Sequence, residues 1–206
     1  MDSPLEIPNE IPIIVLSQAV LFPNSLLPLH IFEDRYRAML RSALDSGRIF
    51  GVAQELEWGD PALPVPDLAP VMGIGVIRAC VERTVGTLDL ILQGLARVEI
   101  VGETLSEPFR TVQIRAVSTE VSDTTQTQIL ADQLRQQSRA LRQRGYQMPQ
   151  KMDQYLASVE DPEVIGDLMA AAFIQDPEIR QEVLETSDLE SRLEIILMAL
   201  KTLSAT

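Results

Sequence analysis

The stretch that decides the fold is residues 12–40, PIIVLSQAVLFPNSLLPLHIFEDRYRAML. Two short apolar runs within it, residues 12–16 and the segment that reaches Ile31, have the length and composition of β-strands. From Phe32 onward the apolar residues recur at the spacing of one helical face, and acidic residues occupy the first turn, where the helix dipole favours negative charge. The stretch therefore predicts two strands followed by a helix.

We expect this helix to share one core with the sheet. The residues predicted to form that core are Phe22, Leu29, Phe32, Tyr36 and Leu40. Phe32 and Tyr36 begin the apolar stripe of the helix, so both side chains are predicted to be buried. Replacing a buried phenylalanine by alanine costs ~3–5 kcal/mol of stability.

Short apolar or alternating runs continue to about residue 120. The predicted strands cover residues 48–54, 71–80, 88–93, 96–101 and 109–117. The turn chemistry at Gly94 predicts that two strands meet there, and Gly73 and Gly75 predict a bulge or bend. Short sequential strands favour an antiparallel sheet curled into a sandwich or partial barrel.

After residue 120 the hydrophobic period becomes helical. Asp-Pro-Glu occurs twice, at residues 161–163 and 176–178, and each copy supplies an N-cap and a proline at the first helical position. The predicted helices cover residues 124–143, 149–159, 162–174, 177–186 and 188–203. The sequence therefore predicts an α+β fold, with a β-rich subdomain at residues 1–120 and a helical bundle at residues 121–206.

Composition excludes several classes of function. The net charge of −13 repels phosphate backbones, so nucleic acid is not an expected partner. Cys80 and His30 are the single cysteine and histidine of the sequence, and we expect neither a disulfide nor a zinc site. Neither lysine, Lys151 or Lys201, lies in a phosphate-binding motif. No apolar run approaches membrane length and the acidic start is unlike a signal peptide, so we expect a cytoplasmic protein.

Residues 12–40 closely resemble the opening of the Lon N-terminal domain, the substrate-recognition module of Lon proteases. The resemblance continues through Phe50-Gly51-Val52, through the glycine-containing run at residues 71–75, and through Gln93 to Val98, which is similar to the family's Gly-x-x-Arg turn. The final helices, with Arg192, also resemble the family. The family-motif positions, predicted to be structural or binding residues, are Phe22, Pro23, His30, Phe32, Glu33, Arg35, Tyr36, Arg37, Gly94 and Arg97.

The resemblance implies a twisted β-rich subdomain followed by a helical one, in agreement with the periodicity. It also implies recognition of unfolded or damaged polypeptide, in connection with protein quality control, and a separate ATP-dependent protease as a partner. A complete Lon protease adds an ATPase module and a serine–lysine dyad. The sequence ends where those would begin, so we predict a free-standing, non-catalytic module without a cofactor.

Three features leave alternatives open. His30 is either a structural histidine bonded to backbone or a base beside Ser17 or Ser25. The apolar residues of the proline-rich loop at 58–70 either pack on the barrel or form a contact surface; they are Trp58, Leu63, Val65 and Leu68. A basic ridge on the first bundle helix is either a solvated face or a docking strip for an acidic partner; it consists of Arg135, Arg139 and Arg142.

Two other functions remain as alternatives to polypeptide recognition. A small-molecule or regulatory sensor would have an enclosed pocket with a few convergent polar groups. An enzyme would have strongly perturbed titratable residues in a cleft. Polypeptide recognition instead predicts an open apolar groove on the β-rich subdomain or near the subdomain junction.

Overall fold

The structure is a computed structural model that describes residues 7–83 and 86–205. Its secondary structure is mainly β-strand up to about residue 120 and helical after it, as predicted. The strands are Glu10–Leu16 (β1), Leu26–Ile31 (β2), Ile49–Gln54 (β3), Val71–Glu82 (β4), Leu88–Leu105 (β5) and Thr111–Ala116 (β6). The helices are Asp34–Leu44 (α1), Thr124–Gln143 (α2), Gln150–Ser158 (α3), Pro162–Phe173 (α4), Pro177–Glu185 (α5) and Leu189–Ala205 (α6). The predicted α+β class is confirmed. Residues 1–6, which begin the first predicted subdomain, lie outside the described residues.

The long strand β5 closes the sheet into a barrel. The strand order is β2-β5-β4-β3-β1-β6, and β5 pairs with β6 as well. Its first half pairs with β2 and its second half with β6, while β4 runs along both halves. The closed ring consists of β5, β4, β3, β1 and β6. All five strands contribute side chains to its interior, and Ile13, Ile74 and Val112 are among the buried residues. Strand β2 and the adjoining parts of β4 and β5 extend beyond the closed ring.

Helix α1 covers one face of that extension. Tyr36, Met39 and Leu40 are buried against apolar side chains from the sheet, including Leu90 and Leu92. The Tyr36 hydroxyl also lies 3.2 Å from both the backbone nitrogen and the carbonyl oxygen of Val15. The opposite face of the extension is left to solvent.

The predicted curled sheet is confirmed, but two of its details are corrected. Strands β1 and β3 pair in parallel, where an antiparallel sheet was expected. The intervening residues contain β2 and α1, which return the chain to the same end of the barrel, as a parallel pair requires. Gly94 is not at a turn between two strands but inside the continuous β5.

Glycine is needed at position 94 because another backbone segment approaches β5 closely there. A Cβ atom at Gly94 would lie 2.0 Å from the carbonyl oxygen of Phe22, and one at Gly73 would lie 1.8 Å from that of Leu21. The Leu21-Phe22-Pro23 segment therefore crosses directly over β4 and β5, where only hydrogen fits. The pairing register also shifts between Ile74 and Gly75, which confirms the predicted bulge.

The predicted single core is also corrected. Phe32 is 64% exposed, because it lies between the end of β2 at Ile31 and the start of α1 at Asp34 and so does not belong to the apolar stripe of the helix. Phe22 is buried, but it packs into the core of the helical subdomain rather than under α1. Tyr36 and Leu40 do share one cluster with the sheet, and Leu29 packs partly buried against it.

The helical subdomain forms as the capping residues predict. Asp123, Asp161 and Asp176 each accept hydrogen bonds from backbone N–H groups in the first turn of their helices. At the start of the last helix, Asp188 accepts the N–H of Ser191 at 2.9 Å. No helix within the described part of the chain is long and apolar enough to cross a membrane.

Candidate functional site

An exposed apolar surface lies on the side of the sheet extension that α1 does not cover. We call it the outer sheet face. It is formed by Leu26, Pro28, His30, Ala79, Val81, Asp89 and Ile91, together with Phe32 just beyond β2. A shallow groove of about 350 Å³ runs over the centre of this face.

The strand register places the outward residues in rows. Pro28 on β2 lies opposite Ile91 on β5, which lies opposite Ala79 on β4. The exposed fractions of the large apolar side chains are high, at 58% for Leu26 and 56% for Val81. Apolar side chains contiguous across three strands are unusual on a solvated surface and are typical of an interaction site.

Three hydrogen-bonded polar side chains, His30, Asp89 and Arg83, lie at one end of the outer sheet face. His30 Nδ1 donates to Asp89 Oδ1 at 2.6 Å, and Arg83 Nε donates to Asp89 Oδ2 at 2.5 Å. These hydrogen bonds hold the pKa of Asp89 below its usual range, so the carboxylate accepts and His30 donates. The expected backbone bond of His30 is therefore corrected to a carboxylate bond. Ser25 instead donates to the carbonyl oxygen of Phe22 at 2.7 Å.

The charged motif residues at the start of α1 make local contacts. Arg35 Nε donates to Glu33 at 2.8 Å, and its guanidinium lies 4.5 Å from the centre of the Tyr36 ring. Arg37 pairs with Asp34 and donates to the carbonyl oxygen of Gly86 at 2.7 Å. Arg37 therefore joins α1 to Gly86, just before β5.

The apolar residues of the proline-rich loop follow both predicted alternatives, since some pack on the barrel and one is exposed. Val65 and Leu68 are buried in the barrel interior, and Leu63 is half-buried. Trp58, in contrast, is 84% exposed. The loop thus closes one end of the barrel and leaves a single large aromatic side chain in solvent.

The predicted basic ridge is not a uniform strip. Arg135 pairs with Asp132 and donates to the carbonyl oxygen of Val159, and Arg142 pairs with Asp153. Arg139 is exposed, and no bond to another described residue occupies its guanidinium. Two members of the ridge are therefore structural, and the third faces solvent.

A buried ionic cluster joins the two halves of the protein; we call it the junction network. It consists of Arg97, Thr119, Glu163, Asp167 and Arg192. Arg97 on β5 pairs with Asp167 and lies 3.3 Å from Glu163, and Arg192 on α6 lies 3.0 Å from the same Glu163 oxygen. Both arginine side chains are almost fully buried.

The carboxylates of this network titrate differently. Burial raises the pKa of Asp167 to about 6, although Arg97 acts to lower it. Burial would also raise the pKa of Glu163, but hydrogen bonds from Thr119 and Arg192 lower it below its usual range. Glu163 is therefore ionised at neutral pH, and Asp167 carries its charge at a desolvation cost that Arg97 partly offsets.

The sequence model of one protein family covers nearly all of the structure just described. The family is the ATP-dependent protease La (LON) substrate-binding domain, and the match covers residues 10–202. The chain belongs to the LON substrate-binding domain family.

Curated relatives of this LON domain are Lon proteases. The Lon protease of Anaeromyxobacter dehalogenans is 26% identical over 193 residues, which are 93% of this chain and 23% of that protein. The Lon protease of Roseiflexus castenholzii is 27% identical over 204 residues, which are 96% of this chain and 25% of that protein. The chain thus spans about a quarter of the length of the relatives it matches.

Solved structures confirm the fold of the LON domain. The N-terminal domain of the Mycobacterium avium complex Lon protease aligns with a TM-score of 0.73 at 19% identity, over 93% of this chain and 98% of that one. A Lon N-terminal domain protein from Xanthomonas campestris aligns with a TM-score of 0.64 at 21% identity, over 92% and 97% of the two chains.

Sequence reasoning did not identify most of the outer sheet face of this LON domain. The run LLPLHI is apolar at nearly every position, so its pattern does not separate the face under α1 from the face in solvent. Asp167 was also missed. Its signal was present, because it is the one charged residue between Val164 and Phe173, where a surface helix would carry several.

Proposed function

We propose that this LON domain recognises polypeptide segments with exposed apolar side chains and binds them on the outer sheet face, in connection with Lon-type proteolysis. The observation that carries the proposal is the contiguous apolar surface of β2, β4 and β5, on a domain whose family is described as substrate-binding. Unfolded chains expose apolar side chains that a folded protein buries. Burying them against such a face is favourable in proportion to the area removed from water.

The geometry favours the face over the free edge of β2. Among the described strands, β2 pairs with β5 alone, so one edge of β2 is open. Pro28 stands at the centre of β2 and has no N–H group to offer to an added strand. A bound peptide would therefore contact the face of the sheet and bury the side chains of Pro28, Ile91 and Ala79.

The junction of the two subdomains does not offer an equivalent site. A cavity of about 300 Å³ lies there beside Arg97, Thr119 and Glu163. The two terminal nitrogens of Arg97 bind Glu163 and Asp167, and Thr119 donates to Glu163, while Arg97 Nε is buried without a partner among the described residues. A single unpaired nitrogen is not the convergent set of polar groups that a sensor would require. Asp167 has a perturbed pKa, but its side chain is fully buried and paired, which excludes contact with a substrate.

The first prediction is that binding depends on Phe32 and Val81. We expect Phe32→Ala and Val81→Asp each to weaken binding of an uncharged, labelled peptide of alternating leucine and serine by about tenfold, because each removes apolar contact area. The measurement is fluorescence anisotropy with the full chain. Phe32 is mostly exposed, so we expect Phe32→Ala to change the stability by less than about 0.5 kcal/mol.

Matched controls lie elsewhere on the surface. Met198 on α6 is 66% exposed and Trp58 is 84% exposed, so Met198→Ala and Trp58→Ala remove comparable apolar area from other places. We expect both to bind the peptide as the parent does, and binding to persist or strengthen modestly with added salt. Loss of binding in Trp58→Ala with no loss in Phe32→Ala would move the site to the proline-rich loop and refute the proposal.

A further inference from the structure

A second surface, on the helical subdomain, has the opposite chemistry. It is a cavity of about 540 Å³ that we call the arginine pocket. It is lined by Arg139, Arg142, Gln143, Tyr146, Gln147 and Met148. It lies at the C-terminal end of α2 and in the connection to α3, far along the chain from the outer sheet face.

The charge of this segment contrasts with that of the whole protein. Residues 133–152 contain five of the chain's 17 basic residues and no acidic residue, in a protein of net charge −13. The helical neighbours of Arg139 one turn away are Arg135, Gln136, Arg142 and Gln143, so none of them neutralises it. Asp132 and Asp153, which flank the segment, pair with Arg135 and Arg142, so a net positive charge remains on this segment of a protein that is acidic as a whole.

The pocket wall is folded rather than loose. Gly145, at φ +96°, ends α2, and the N–H groups of Arg144, Gly145 and Tyr146 donate back to carbonyl groups of the last α2 turn. Arg144 also binds the carbonyl oxygen of Ser204 on α6. The connection that carries Tyr146 and Met148 is thus held in place, so the pocket is largely formed before anything binds.

Each arginine of the pocket has a different role. The guanidinium of Arg142 is already held by Asp153 on α3, which orients it but uses part of its donor capacity. Arg139 is exposed, and no other described residue binds its guanidinium donors. A guanidinium recognises a carboxylate through paired N–H donors, and the Gln143 and Gln147 amides can bind main-chain groups beside it.

We propose that the arginine pocket binds an acidic segment of a polypeptide, with Arg139 as the residue that receives a glutamate or aspartate side chain. Nucleic acid is a poorer fit, because a long phosphate chain would extend beyond the pocket over the acidic surface of the protein. The site is independent of the outer sheet face, since it lies on different elements and has the opposite dependence on salt.

The test uses the full chain and a labelled oligoglutamate peptide, with an oligoglutamine peptide of equal length as the uncharged probe. We expect saturable binding of oligoglutamate alone, weakened about tenfold by Arg139→Gln and further weakened as salt rises. Arg41 gives the matched control, since it is an exposed arginine on α1 away from the pocket. We expect Arg41→Gln to bind as the parent does.

Three results would overturn the proposal. These are equal binding of oligoglutamine, equal weakening by Arg41→Gln and Arg139→Gln, and full displacement of the peptide by an equimolar amount of inorganic phosphate. The first would show that charge is not recognised, the second that only net charge matters, and the third that the pocket is a general anion site. Circular dichroism of both variants shows whether they remain folded.

Discussion

At the scale of single residues, Arg97 and Asp167 show how the protein holds opposite charges in its interior. The two side chains come from β5 and α4, and both are almost fully removed from water. Such a pair gains little over an apolar contact, but removal of one partner leaves a buried charge without compensation. The pair therefore matters mainly because each residue would be a buried, uncompensated charge without the other.

The second prediction concerns Arg97→Met. At about pH 7 we expect a loss of ~3–5 kcal/mol in the free energy of unfolding, because Asp167 and Glu163 lose their shared cation. Urea denaturation followed by circular dichroism measures it. The control is Arg115→Met, which removes an exposed ion pair to Glu99 on the same sheet. An exposed pair contributes at most ~1 kcal/mol, so a similar loss in both variants would contradict the assigned role.

The third prediction is the pH dependence of that loss. The folded-state pKa of Asp167 is raised to about 6 from an ordinary value near 3.8, so the folded protein binds this proton more tightly than the unfolded chain does. Asp167 therefore lowers stability as the pH rises from about 4 to 6. Removing Arg97 raises this pKa further. We expect the cost of Arg97→Met to be smaller at about pH 5 than at pH 7; a cost that grows on acidification would contradict the sign.

At the scale of secondary-structure elements, β5 organises the barrel through one close contact. Gly94 lies beneath the backbone of Phe22, and the N–H of Gly94 donates to the carbonyl oxygen of Ser25 at 2.9 Å. The crossing segment thereby carries Phe22 from the sheet into the helical core, where Arg180 lies 5.6 Å from the centre of its ring. Gly94, predicted to lie at a turn, is instead the position in β5 where the Leu21-Phe22-Pro23 segment packs on the strand.

The fourth prediction compares two glycines of β5. We expect Gly94→Ala to lower the free energy of unfolding by about 3 kcal/mol or more, since the new methyl group would overlap the Phe22 carbonyl and the backbone has to move. Gly102 has no neighbouring atom of the described residues within 4 Å of the equivalent position. Gly102→Ala is therefore expected to stay within about 1 kcal/mol of the parent in the same denaturation experiment. Equal effects would show that β-propensity, rather than the close approach, determines the result.

The elements differ in how far the sequence alone predicts them. The helix starts at Asp123, Asp161 and Asp176 were predictable because a cap and its N–H partners lie within three residues of one another. The parallel pairing of β1 with β3, and the pairing of Arg97 with a carboxylate 70 residues away, depend on the path of the whole chain. The predicted burial of Phe32 was wrong for a local reason. The apolar spacing typical of a helix starts at Phe32, two residues before the helix itself begins at Asp34.

At the scale of the whole molecule, the boundary predicted at residue 120 separates two kinds of secondary structure but not two cores. Val20, Phe22 and Val71 pack in the cluster of the helical subdomain. Gln181 on α5 donates to the carbonyl oxygen of Val71 at 2.7 Å, and the junction network adds charge pairs across the same boundary. Whether the boundary also separates two folding units stays a prediction.

The fifth prediction is that the two subdomains unfold together. Opening the helical subdomain alone would expose Phe22 and Val71 and would leave Arg97 without its carboxylates, so a half-folded state carries a large penalty. In native-state hydrogen exchange, we therefore expect the most protected amides of β5 and α4 to report the same free energy of opening, within roughly 1 kcal/mol. Arg97→Met provides the internal comparison, because it removes the charge pairs and leaves the apolar contacts of Phe22. If the contacts of Phe22 suffice for coupling, both sets of amides lose protection equally in that variant. Helical amides that open several kcal/mol more easily than β5 in the parent protein would show two independent units, and a binding fragment of residues 1–120 would then be stable alone.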